Sequence, residues 1–113
     1  MHELAITTAL IEVVREEVER SGGGQVVRID LTVSGFESLE PHSLNLCFEM
    51  MTEGTAMEGA VIEVKRLPIR IRCKTCDADR ISDERFHCEI CNGTDVVLLP
   101  SEPMRVNSVT VRR

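Results

Sequence analysis

The chain has no tryptophan, no tyrosine and only three phenylalanines. Platforms on which nucleobases could stack are therefore scarce. Positive charge is also in deficit, with 13 Lys and Arg against 19 Asp and Glu and a formal net charge of -6. A polyanion would be repelled on average, so nucleic acid is not an expected partner. No apolar run approaches the roughly 18 residues that cross a bilayer. The opening Met1-His2-Glu3-Leu4 has neither the basic start nor the apolar stretch of a secretory signal. These absences predict a cytoplasmic protein with no membrane association.

At 113 residues the chain is about one domain long, so a second unit must be small and stabilised by something other than a large core. Apolar residues Ile6, Ala9, Leu10, Val13, Val14 and Val18 recur at helical spacing, with Thr7, Glu12, Arg15, Glu16 and Glu19 on other faces. Ser21-Gly22-Gly23-Gly24 ends this helix. Val27, Ile29, Leu31 and Val33 alternate with polar residues as a half-buried strand does. Pro41 suits the first turn of a second helix, along which Leu44, Cys47, Phe48 and Met51 share a face to about Thr52. Ile62, Val64 and Leu67 form another strand, closed by Pro68. From Met104 to Val111 the alternation breaks, which predicts a strand with a bulge near Asn107 and Ser108. The expected fold is α+β: two helices packed on a small three-stranded sheet, with a cysteine-rich subdomain inserted. The expected domains are 1–68 plus 102–113, and 69–101.

Five cysteines are an odd number for a closed disulfide set, and a reducing compartment keeps clustered thiols available as metal ligands. Two Cys-x-x-Cys pairs, Cys73/Cys76 and Cys88/Cys91, are eleven residues apart. Each pair can form a knuckle that presents two sulfurs to one ion, the pattern of a structural zinc ribbon with four cysteine ligands. A four-thiolate shell leaves no open position for water or substrate, so an enzyme is not expected. Zinc binding contributes roughly 10 kcal/mol of apparent folding free energy to modules of this kind. The site would carry a net negative charge, for which Arg72, Lys74, Arg80 and Arg85 are candidate compensating neighbours. A redox dithiol and an iron site are the alternatives. His87, next to Cys88, reads as a hairpin surface residue or as a substitute ligand. Cys47 reads as a small hydrophobe of the second helix.

His2 offers different chemistry. A free α-amine, the following amide and the His2 imidazole can chelate one metal through fused five- and six-membered rings. Nitrogen-rich planar surroundings suit Ni(II) or Cu(II), whereas tetrahedral sulfur suits Zn(II). The competing reading is an ordinary frayed terminus, with Glu3 there as a carboxylate favoured at the positive end of a helix.

Met1-His2-Glu3-Leu4 opening an amphipathic helix, Glu40-Pro41 before the second helix, the Glu53-Gly54-Thr55 turn, both Cys-x-x-Cys pairs and the final strand occur together. Over essentially its whole length the chain resembles the HypA/HybF family of hydrogenase nickel-incorporation proteins. The resemblance implies a nickel metallochaperone that delivers Ni(II) to the [NiFe]-hydrogenase large subunit with a partner GTPase. It implies a nickel site built on Met1, His2 and the backbone of Glu3, and structural zinc on Cys73, Cys76, Cys88 and Cys91. Some relatives serve urease maturation proteins as well. A monomer or a homodimer is compatible with it. Many members have glycine directly after the first knuckle, where this chain has Asp77. The alternative function is a zinc-ribbon adaptor or regulatory subunit that binds protein partners without a second metal.

Overall fold

A computed structural model describes residues 2–35, 39–83, 85–101 and 104–113, with the side chain of His2 outside the described set. The elements run α1 (His2–Arg20), β1 (Gln25–Val33), α2 (Pro41–Met51), β2 (Val61–Arg66), β3 (Ile69–Cys73), β4 (Ala78–Ser82), β5 (Val96–Leu98) and β6 (Met104–Arg112). One three-stranded sheet has the order β2-β1-β6 and a second has the order β4-β3-β5. The chain divides into two compact units: 1–32, 38–65 and 105–113 form one, and 33–37 with 66–104 form the other. The α+β architecture and the two helices match the sequence reading. The second sheet, inside the cysteine region, goes beyond it.

In the first unit, α1 buries Thr7, Leu10, Val14 and Val18. Helical spacing puts Thr7 on a polar face, yet it is fully buried; its hydroxyl donates 2.6 Å to the Glu3 carbonyl, leaving no unpaired polar group. Val13 instead stays 45% exposed. The helix ends as its glycines predict: Gly22, at φ 101°, is followed by a bond from the Gly23 N–H to the Val18 carbonyl of 2.8 Å, a left-handed C-terminal cap. Gly24 is required for a second reason. A Cβ there would lie 2.3 Å from Val111 Cγ1.

The buried residues of β1 include Val26, Ile29 and Leu31, while Val27, expected inside, is outside. Leu44 and Phe48 of α2, with Leu39, Met57 and Ile62, complete this core. The Glu53-Gly54-Thr55 turn is held by Thr55, whose N–H and hydroxyl donate to the Thr52 carbonyl at 3.0 and 2.6 Å. In β6 the exposed residues Asn107 and Ser108 adjoin, and half-buried residues resume at Val109 and Val111. Asn107 Nδ2 donates to Thr32 Oγ1 and Ser108 Oγ donates to Asp30 Oδ2. Two successive β6 side chains thus reach alternate residues of β1, as a bulge produces and as the broken alternation predicts.

α2 begins on an unusual cap. The Glu40 carboxylate accepts from the His42 and Ser43 N–H groups at 3.1 and 2.7 Å, doing with a longer side chain what Asp or Ser does at most helix starts. The Ser43 and His42 amides hold this carboxyl below the usual range. Because its folded-state value is lowered, its contribution to stability is present above the unfolded carboxylate range and is lost as pH falls through the lowered value. Glu40→Ala is therefore expected to lower the melting temperature at neutral pH. The difference from wild type should shrink on acidification; a gap independent of pH would contradict the cap.

Candidate metal centre

The second unit starts with a crossing. Leu67 N–H donates to the Val33 carbonyl at 2.9 Å, and a Cβ on Gly35 would lie 2.3 Å from the Leu67 carbonyl oxygen. Only glycine allows this approach. β3 then pairs antiparallel with β4, Cys73 opposite Ala78, and with β5, Cys73 opposite Val96. Ile69 and Ile71 face inward while Arg70 and Arg72 face solvent. The inner face carries Ile69, Ile71, Cys73 and Cys88, with Cys76 and Val96 packed against them.

This arrangement brings the four cysteines of the two pairs together. The first knuckle links β3 to β4, and the second precedes β5. All four sulfurs lie within 4.8 Å of one another. Cys73 and Cys91 Sγ are 3.6 Å apart and Cys76 and Cys88 Sγ 3.8 Å apart. A disulfide has sulfurs about 2.05 Å apart, so these are not bonded pairs. Around an ion with metal–sulfur bonds of about 2.3 Å, a tetrahedron has edges of about 3.8 Å. The donors fit a tetrahedral metal ion. Cys47 is half-buried on α2 and is not part of the cluster.

Backbone amides do much of the electrostatic work. The Cys76 N–H points at Cys73 Sγ at 3.3 Å and the Gly93 N–H at Cys91 Sγ at 3.4 Å. The N–H groups of Cys91 and Ile90 hold the Cys88 thiol down to about 6. Hydrogen bonding with the Cys91 and Cys73 sulfurs pushes Cys76 up to about 12. Metal-free, the cluster thus shares protons that a metal would displace, and metal affinity must fall with pH.

Three of the four cations expected to compensate the cluster, Arg72, Arg80 and Arg85, have other partners. Arg72 donates to Asp77 and Asp79 at 2.7 and 3.1 Å, and Arg85 to Asp83 at 3.0 Å. Arg80 donates to the Asp79 carbonyl. His87 is not a surface residue: its side chain is 17% exposed, with Nδ1 3.3 Å from an Asp83 oxygen. It lies outside the four-sulfur group.

Asp77 and Asn92, each directly after a knuckle, adopt φ of 52° and 57°. This left-handed region favours glycine, and among other residues Asp and Asn tolerate it best. Asp77 therefore keeps the knuckle geometry that a glycine would serve, and it adds an ion pair to Arg72. The sequence signal lies in the residue types at both positions.

At the other candidate site, Met1 and the His2 side chain lie outside the described residues. Glu3 is described. Its carboxylate Oε2 accepts from the Glu40 N–H at 3.3 Å. No sequence signal marks that contact, which joins residues 37 positions apart.

Fold and donor set define a small metal-binding protein, and comparison with known proteins gives the class a function. Residues 1–111 match the family of hydrogenase/urease nickel incorporation metallochaperones, HypA. The chain belongs to this family, so it is a metallochaperone of nickel incorporation and not a member of a catalytic enzyme family. The hydrogenase maturation factor HypA of Nostoc sp. (strain PCC 7120) is 28% identical over 111 residues, 98% of this chain and 96% of that protein. The HypA of Lawsonia intracellularis is 32% identical over 76 residues, 67% of this chain and 64% of that one. The solution structure of the Ni metallochaperone HypA from Helicobacter pylori shares the fold, with TM-score 0.67 and 18% identity over 98% of this chain and 97% of that one. Among the described residues no helix is long and apolar enough to cross a membrane.

Proposed function

We propose that the chain carries Ni(II) as cargo on Met1, His2 and the backbone of Glu3, and holds Zn(II) structurally on Cys73, Cys76, Cys88 and Cys91. The observation that carries the nickel reading is that α1 begins at His2 in a chain of the nickel-incorporation family. The first amide groups of a helix have no intrahelical acceptor, so they are free to meet a metal. The positive end of the helix dipole also stabilises the anion that an amide becomes on losing its proton to the metal. With the Glu3 carboxylate turned to Glu40, its backbone is the part left to the metal.

For the cysteine cluster, four thiolates at tetrahedral spacing suit Zn(II), and the closed shell suits a structural role. The proposed functional division is 1–68 plus 102–113 for nickel and 69–101 for zinc. A maturation GTPase and the [NiFe]-hydrogenase large subunit are the proposed partners, with urease maturation proteins as a second recipient system. We place the protein in the cytoplasm, where these partners act.

A chelate at a chain end exchanges ligands readily, which suits a carrier that must release its cargo. Because amine, amide and imidazole all bind deprotonated, nickel affinity falls as pH drops. The test is metal analysis of untagged protein after nickel loading. Wild type is expected to hold about one nickel and one zinc; His2→Ala, or a tag fused ahead of Met1, keeps the zinc and loses the nickel. Nickel retained by both variants would refute the chelate. Zinc alone in wild type would favour the adaptor reading.

A further inference from the structure

The start of α2 contains half of a capping box. In the full motif the cap side chain accepts from the amide three residues on, and a Glu or Gln at that third position accepts in return from the amide of the cap residue. Glu40 performs the first half through the Ser43 N–H at 2.7 Å. Ser43 occupies the third position and is too short for the second half. The missing acceptor is supplied from the other helix: Glu3 Oε2 takes the Glu40 N–H at 3.3 Å. Glu3 is at the same time tied into α1, its carbonyl accepting from the Thr7 hydroxyl at 2.6 Å. Thr7 itself is fully buried.

We infer that Glu3 is a positioning residue whose carboxylate completes the α2 capping box in trans and thereby fixes the first turn of α1, which carries the nickel-binding backbone. The inference rests on the nickel reading above and extends it. The side chain and the main chain of Glu3 have separate tasks. The main chain belongs to the chelate; the carboxylate holds that chelate in one orientation against the start of α2. A segment held in place loses less conformational freedom when metal arrives, so the tether raises affinity without touching the ion.

Glu3 variants separate the tether from the chelate, since every proposed nickel ligand survives in them. In metal-free protein, Glu3→Ala is expected to speed amide exchange at Glu40 by about tenfold or more. Nickel affinity should fall by about tenfold with stoichiometry and ligand-field spectrum unchanged. Glu3→Gln, which keeps an acceptor oxygen, should recover most of both. The double variant Glu3→Ala/Ser43→Glu supplies the capping carboxylate locally. It should restore protection at Glu40 while leaving nickel affinity low, because α1 is still untethered.

Unchanged Glu40 exchange in Glu3→Ala overturns the contact. Unchanged nickel affinity in that variant, or affinity regained in the double variant, overturns the positioning role and leaves only helix capping. A failed nickel reading shows itself elsewhere, as nickel binding that survives His2→Ala.

Discussion

Cys88→Ser should abolish zinc binding and unfold the cysteine unit while the helical unit stays folded. Cys88 is completely buried and, among the described residues, belongs to a hydrophobic cluster of four buried residues, two of them cysteines. So small a cluster supplies little hydrophobic stabilisation: fully burying an Ile side chain is worth roughly 1.5–3 kcal/mol, against backbone ordering of about 1–2 kcal/mol for every residue fixed. A metal contributing roughly 10 kcal/mol would tip the balance. Serine cannot replace the ligand, because its hydroxyl does not ionise as the amide-supported Cys88 thiol does. In a 15N-correlation spectrum the signals of Ile69, Ile71 and Arg72 are expected to collapse into the random-coil region, while those of Leu10 and Ile29 keep their dispersion. Removing metal from wild type with a strong chelator should do the same, reversibly on adding zinc. A variant without metal that retains dispersed signals at Ile71 would show that the sheet, not the ion, holds this unit together.

The same imbalance explains why β3, β4 and β5 are hard to read from sequence. Ile69-Arg70-Ile71-Arg72-Cys73 does alternate, but the paired β4 reads Ala78-Asp79-Arg80-Ile81-Ser82, with its one large apolar residue, Ile81, 53% exposed. Hydrophobic periodicity reports burial against an apolar core, and here part of the core is sulfur around a metal position. The clustering of the four cysteines is legible for the opposite reason, since Cys-x-x-Cys spacing is a pattern of coordination chemistry. Both helices and the bulge in β6 are legible because local rules govern them: glycine after α1, proline at the start of α2, and a break in alternation at Asn107-Ser108. Particular side-chain contacts are not. The Glu3–Glu40 bond, the buried Thr7 paired within its own helix and the acidic partners of Arg72 follow from how elements meet or from which hydroxyl finds a carbonyl, and composition carries no trace of them. The left-handed residues after the knuckles lie between these extremes. Asp77 and Asn92 are suggestive by type, but only their φ values show that both knuckles make the same demand.

Phe48→Ala is expected to cost about 3–5 kcal/mol, the range for removing a large aromatic from a packed core. Phe48 is 2% exposed, and its carbonyl accepts both the Thr52 N–H and the Thr52 hydroxyl at the end of α2. The cavity left by the ring would open in the buried core of the first unit, to which Leu10, Leu44 and Ile29 also belong and in which these residues are held by their own helices and strand. They cannot collapse freely to fill it. Against a total stability that for a domain of this size is typically about 5–15 kcal/mol, such a loss consumes a large fraction. Urea unfolding of zinc-loaded protein followed by helix circular dichroism should show the midpoint moving sharply to lower denaturant with an unchanged slope. Met50→Ala on the same helix is the control: Met50 is 77% exposed, and its replacement should stay within about 0.5 kcal/mol of wild type. The two substitutions also bear on the proposed nickel site. Because the first turn of α2 receives Glu3, weakening α2 at Phe48 should lower nickel affinity even though no ligand has changed, whereas Met50→Ala should leave it alone. A Phe48→Ala protein destabilised by less than about 1 kcal/mol would mean that α2 is held mainly by its cap and not by its buried face.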